Sequence, residues 1–213
     1  MHAKRGGPAV GDAGEPSELA RRLLAGLSDR WDHTREVAAR AESVGTAVPD
    51  EDRRLLVDAA WLHDIGYSPE VADTGFHPLD GARYLMSMGA PADLVGAVAH
   101  HSCARFEAEE RGLETELEAF PAPSEAVMDA LAYADMTSGP TGHTVTVEDR
   151  LAEILERYGA DDPVHRAISR APRLLRRRCS ADARPDVGLP PCIGPGRRSR
   201  IRQFGVALRF NRS

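Results

Sequence analysis

A chain of 213 residues, 42% hydrophobic and 28% charged, has the size for one core, and an aromatic content of 5% means that Ala, Leu and Val must build it. No uncharged apolar run approaches the ~18 residues of a membrane span, the charged start leads into no apolar segment, and three cysteines do not suit a stapled secreted scaffold, so a cytoplasmic protein is expected. From Arg173 onward, 11 Arg against Asp182 and Asp186 give +9, which leaves −15 of the formal −6 on the preceding 172 residues and argues against a nucleic-acid reader.

Residues 1–16, rich in Gly and Pro, read as a flexible N-terminal arm. They hold Lys4, the one lysine of the chain, so the body has none for a Schiff base or a P-loop. Pro16-Ser17-Glu18 starts a helix ahead of Leu19, Leu23, Leu24 and Leu27. Asp32 is placed to cap a second helix carrying Val37, Ala41 and Val44 and ending near Gly45. Pro49-Asp50 opens a third, through Leu55, Leu56, Ala59 and Ala60 to Gly66, which is expected to take the left-handed cap conformation. Pro78 and Pro91 suit the first turns of helices over 78–88 and 91–103. Ser124 and Thr146 precede two more, the latter through a Thr-x-x-Asp box to Asp149, and Asp162-Pro163 starts the last. Nothing of useful length alternates with period two, so the expected fold is all-α, a single helical bundle over 17–177. Residues 178–213, basic and rich in Pro and Gly, read as a disordered tail.

Five of the eight histidines fall between positions 33 and 101. His33 shares a face with Val37, Ala41 and Val44; His63 continues the stripe of Leu55, Leu56, Ala59 and Ala60; His101 follows Leu94 and Val98; Asp135 follows Met128 and Leu131. Periodicity therefore assigns each polar group to the core side of its helix. A lone buried histidine is commonly a satisfied core residue, and Asp64 could simply end a helix. Several such groups together need a common partner, because burying them unpaired is costly. A metal ion satisfies several imidazoles and carboxylates at once.

The ordered set His33, His63-Asp64-Ile65-Gly66, His77, His100-His101 and Asp135 resembles the HD-domain metal-dependent phosphohydrolases, with Ala59 to Gly66 similar to their HDIG signature. The resemblance spans about residues 20 to 160 and implies a helical fold around one or two divalent metals. His33, His63, Asp64 and Asp135 match the minimal ligand set, and His77, His100 and His101 match the extra histidines of binuclear members. Asp29 stands where some members carry a further acid. Mixed nitrogen and oxygen ligation suits Mn, Fe, Co, Ni or Zn. The implied activity is hydrolysis of a phosphoester of a small phosphorylated metabolite or nucleotide by metal-activated water, with His63 and Asp64 acting through the metal. An HD-type di-iron oxygenase and a non-catalytic regulatory module are the alternatives.

The motif continues with Tyr67 where many HDIG-type members have a lysine, and Ser102-Cys103-Ala104-Arg105 replaces the Gly-Tyr-Pro segment of cyclic-dinucleotide phosphodiesterases, so that substrate is not expected. Arg53, Arg54, Arg83 and Arg105 are the candidate phosphate partners. Cys103 reads as a spectator thiol, and Cys179 and Cys192 are given no role.

Overall fold

In the computed structural model, residues 15–179 are described, and they form an all-α fold. In chain order the helices are α1 (Pro16–Leu24), α2 (Ser28–Ser43), α3 (Arg53–Leu62), α4 (His77–Ser87), α5 (Ala92–His100), α6 (Ala104–Arg111), α7 (Glu114–Glu118), α8 (Glu125–Met136), α9 (Val147–Arg157), α10 (Pro163–Arg170) and α11 (Pro172–Arg178). Among the described residues there is no strand, only an isolated bridge between Ser138 and Thr144. No helix among them is long and apolar enough to cross a membrane. The arm and tail expected over 1–16 and 178–213 lie almost entirely outside the described residues; Arg178 and Cys179 are within them, and Cys179 is fully buried.

Helix α8 is the centre of the bundle. Every residue from Val127 to Met136 is buried, and the helix packs against α2, α3, α9 and α11. It can be buried all round because its side chains are small: Ala130, Ala132 and Ala134 let neighbouring backbones approach closely. Gly96 of α5 serves the same end, since a Cβ there would lie 1.8 Å from the Pro121 carbonyl oxygen. Leu24, Leu56, Leu62, Leu79 and Leu131 fill the remaining space, each stabilising the fold by roughly 2 kcal/mol on burial.

Local signals set most helix starts. Ser124 Oγ accepts from Val127 N, Thr146 Oγ1 from Asp149 N and an Asp162 carboxylate oxygen from Val164 N, as their cap positions predict. Three expectations need correction. Asp32 lies inside α2, which begins at Ser28 with no side-chain cap. The helix expected over 91–103 ends at His100, because Ser102 and Cys103 take left-handed backbone conformations (φ 46° and 66°); α6 then starts in a new direction. Past Asp162-Pro163 the chain breaks once more, at Pro172, which starts α11.

Gly66 is not left-handed. It lies in a 3-10 turn over Ile65–Tyr67, and a Cβ on it would sit 2.0 Å from the His77 carbonyl oxygen. The glycine is required by the close approach of this turn to the start of α4, which sets His77 beside Asp64.

Candidate metal centre

Helices α2, α3, α4, α5 and α8 converge on one buried cluster. His33 comes from α2, His63 and Asp64 from the end of α3, His77 from the first position of α4, His101 from just beyond α5, and Asp135 from α8. His33, His63, Asp64 and His101 are at most 3% exposed, and Asp135 is buried at 7%.

Backbone carbonyls fix the orientation of three of these imidazoles. His33 Nδ1 lies 3.1 Å from Gly139 O, His63 Nδ1 2.8 Å from Ala60 O and His101 Nδ1 2.7 Å from Val98 O. A carbonyl only accepts, so each Nδ1 carries the proton, and in the neutral ring each Nε2 presents its lone pair to the cluster. His63 Nε2 is buried with no hydrogen-bond partner. His33 Nε2 faces Asp135 Oδ1 at 3.1 Å, an arrangement of two acceptors unless a proton or a cation lies between them. His77 Nε2 lies 3.1 Å from His101 Nε2, a contact that needs a proton or a cation between the two nitrogens.

Asp64 stands between the two sets of rings. Its Oδ2 is 3.3 Å from His63 Nε2 and 3.9 Å from His33 Nε2; its Oδ1 is 3.4 Å from His77 Nε2 and 4.0 Å from His101 Nε2. Two groups with metal-binding spacing result, His33–His63–Asp64 and Asp64–His77–His101, sharing that carboxylate. Arg30, one turn before His33, donates from Nη1 to Asp64 Oδ2 at 2.8 Å. Its guanidinium covers the Tyr67 ring at 3.9 Å, and the other face of Tyr67 stacks on His77 at 4.0 Å. Ser102 Oγ donates to Asp135 Oδ2. On the outer side of α2 and α3, the Trp31 and Trp61 rings are 5.9 Å apart.

The charges are set by these contacts. Burial alone would raise the Asp64 carboxyl, but His63 and Arg30 hold it well below the usual range. Burial would also raise Asp135; the His33 hydrogen bond, helped by His63 and more remotely Arg150, keeps it low. Burial pushes His77 and His101 below the ordinary imidazole range. For His63 burial acts in the same direction, but the adjacent Asp64 carboxylate prevails and raises it.

A small cleft of about 90 Å³, open to solvent, adjoins the cluster. Asp64, His77, His101 and Asp135 line it together with Glu107, Arg150, Ile154, Tyr158, Val164 and Ile168.

Six of the seven residues expected to hold metal are thus brought together, and His100 is not. Consecutive residues on a helix point about 100° apart, and the His100 ring turns to the other side of α5, where Nε2 donates to Phe120 O at 2.6 Å. Asp29 is exposed and contributes nothing to the cluster; its neighbour Arg30 does. The four arginines expected to meet phosphate are elsewhere. Arg53 binds Gly45 O and Asp50, Arg54 binds Asp58 and Glu15, Arg83 approaches Asp73, and Arg105 lies over Phe106. The arginines at the cleft are Arg30, Arg150 and Arg157. Arg30 had a sequence signal, since it falls three residues before His33 on the same face.

A family model described as HD domain matches residues 30–134. No curated protein and no solved structure matches the chain.

Proposed function

The chain belongs to the HD-domain family, and from that membership we propose that it hydrolyses a phosphoester of a small phosphorylated metabolite or nucleotide with one or two divalent metals. One observation carries the reading: three imidazoles tied through Nδ1 to backbone carbonyls, their Nε2 atoms turned toward shared carboxylates, with His63 Nε2 left buried and unpartnered. This is how metal-ligating histidines are oriented, and a cation would satisfy the facing acceptors of His33 and Asp135. The donor set of imidazole and carboxylate fits Mn, Fe, Co, Ni or Zn without choosing among them.

His33, His63, Asp64 and Asp135 would hold the first metal, and Asp64, His77 and His101 a second. When bound, such metals supply a water nucleophile at neutral pH and neutralise charge on the phosphoryl oxygens. The chain's own groups prepare for this. Arg30 keeps Asp64 ionised and orients it, Ser102 holds Asp135 by its second oxygen, and the Arg30–Tyr67–His77 stack fixes the imidazole nearest the opening. Ile154, Val164 and Ile168 give the cleft an apolar wall that limits water around the ester.

The test is metal content per chain, by elemental analysis of protein purified without a histidine tag or added metal, alongside hydrolysis of simple phosphomonoesters. His63→Ala and Asp64→Asn should each lose metal and activity together. Activity surviving in a metal-free variant refutes the reading.

A further inference from the structure

Arg150 is placed where a surface helix would put a leucine. It falls between Val147 and Ile154 on the buried stripe of α9 and is 5% exposed. A guanidinium keeps its charge at any working pH, so burial obliges it to find acceptors. The acceptor found for it lies on its own helix, where Nη1 donates to Glu153 Oε2 at 2.5 Å. Its Nε is buried with no partner. Nor does Glu153 neutralise the wall, because its other oxygen accepts from Arg157, so two guanidiniums share one carboxylate. Both arginines line the cleft that Asp64, His77, His101 and Asp135 line, and the field of Arg150 reaches Asp135.

We infer that Arg150 is the anion anchor of this cleft, donating to a phosphoryl oxygen of the substrate from the wall facing the His/Asp cluster. The inference rests on the hydrolase reading above for the identity of the anion. A phosphoryl group between the cluster and α9 gives the part of Arg150 that lines the cleft an acceptor and offsets the excess positive charge of the Arg150–Glu153–Arg157 group. The organic part of the ester then meets Ile154, Tyr158, Val164 and Ile168, so the substrate presents an apolar body next to its phosphate.

The experiment is calorimetric titration of the full chain with inorganic phosphate, with metal content measured on the same samples. Arg150→Gln should weaken phosphate binding about 10- to 100-fold and leave the metal per chain unchanged. Glu153→Gln removes the negative charge of the helix-internal partner and should leave phosphate binding equal or tighter. Wild-type phosphate affinity in R150Q overturns the inference, as does an equal loss in E153Q, which would give Arg150 a purely structural role. Should R150Q not fold, Arg150→Lys decides, because it keeps the charge and loses the planar fork. Weakening of several-fold supports the anchor, and unchanged binding refutes it. Phosphate binding through Arg150 in a chain that takes up no metal would sink the hydrolase reading and leave the anchor standing. Metal with phosphate binding indifferent to Arg150 does the reverse.

Discussion

Replacing Gly66 by Ala should both destabilise the protein and strip one side of the site. The added Cβ would lie 2.0 Å from His77 O, 2.7 Å from its carbonyl carbon and 2.8 Å from its Cα. Carbon atoms in comfortable contact stand about 3.5 Å or more apart, and carbon and oxygen slightly closer, so the Ile65–Tyr67 turn and the start of α4 must separate by roughly 1 Å. All three obstructing atoms are backbone, and no rotamer change can relieve them. Overpacking of this kind costs about 1–3 kcal/mol, and the rigidity of the contact points to the upper end. For a domain of this size that lowers Tm by roughly 6–12 °C. The same displacement carries His77 Nε2 away from Asp64 Oδ1, now 3.4 Å distant, whereas His33 and His63 sit on helices before the turn. Thermal melting and elemental analysis should therefore show a lower Tm and loss of the metal proposed for Asp64, His77 and His101, with the one proposed for His33, His63, Asp64 and Asp135 retained. A Tm within about 2 °C of wild type together with unchanged metal content would refute the close-contact account of this glycine.

Asp80 is 2% exposed and accepts from the backbone N–H of Asp73, Thr74 and Gly75 and from Thr74 Oγ1, at 2.7 to 3.2 Å. Asp80→Ala leaves these donors without an acceptor and should cost about 3–5 kcal/mol, read as a lower urea midpoint at unchanged m; a loss under ~1 kcal/mol contradicts it. Burial pushes the Cys103 thiol up to about 11, so iodoacetamide at pH 7.5 should alkylate it at least ~100-fold more slowly than an ordinary cysteine. Rapid labelling of the Cys103 peptide would show the thiol to be exposed. The metal-free protein should melt at a lower temperature at pH 5.5 than at pH 7.5. His77 and His101 are held below the ordinary imidazole value by burial, so as pH falls through ~6.5 the unfolded chain takes up their protons first and folding weakens. His63, raised by Asp64 against burial, acts oppositely, its stabilisation being lost as pH rises through its folded value; His77, held well below the ordinary range, sets the sign. The depressed Asp64 and Asp135 add stability above the unfolded carboxyl value of ~3.9, lost as pH falls through their folded values, below this window. A higher Tm at pH 5.5 would reverse the assignment.

What could be read from the sequence was what is local or periodic. Ser124, Thr146 and Asp162 cap helices because a cap needs only the next three residues. His33, His63, His101 and Asp135 declared themselves by falling on apolar stripes, and all four are buried. Arg150 obeys the same rule between Val147 and Ile154, but an arginine is ordinarily found in water, so periodicity alone does not assign it to the core. Arg53, Arg54, Arg83 and Arg105 are chemically equivalent to it along the chain; which arginines reach the cleft depends on how α9 crosses α8. The end of α5 was hidden for another reason: neither Ser102 nor Cys103 is a glycine, so nothing in the sequence announces two consecutive left-handed residues. That break lies beyond both histidines; the turn of about 100° between consecutive helical residues is what sends His100 to Phe120 O and leaves His101 in the cluster. Gly66 was recognised as a glycine that matters, but its reason lies in a contact with His77 across the fold, beyond the reach of a cap rule.

The contact between Trp31 and Trp61 gives the molecule a spectroscopic address. These are the two tryptophans of the chain; one follows Arg30 on the helix that carries His33, and the other stands two residues before His63. With rings 5.9 Å apart across the α2–α3 seam, they sense the spacing of the two helices that bring His33 and His63 together. Indole emission, ordinarily an average over many sites in a protein, here originates from one seam directly behind the cluster. The colour and intensity of that light register the frame of the site, with no label attached.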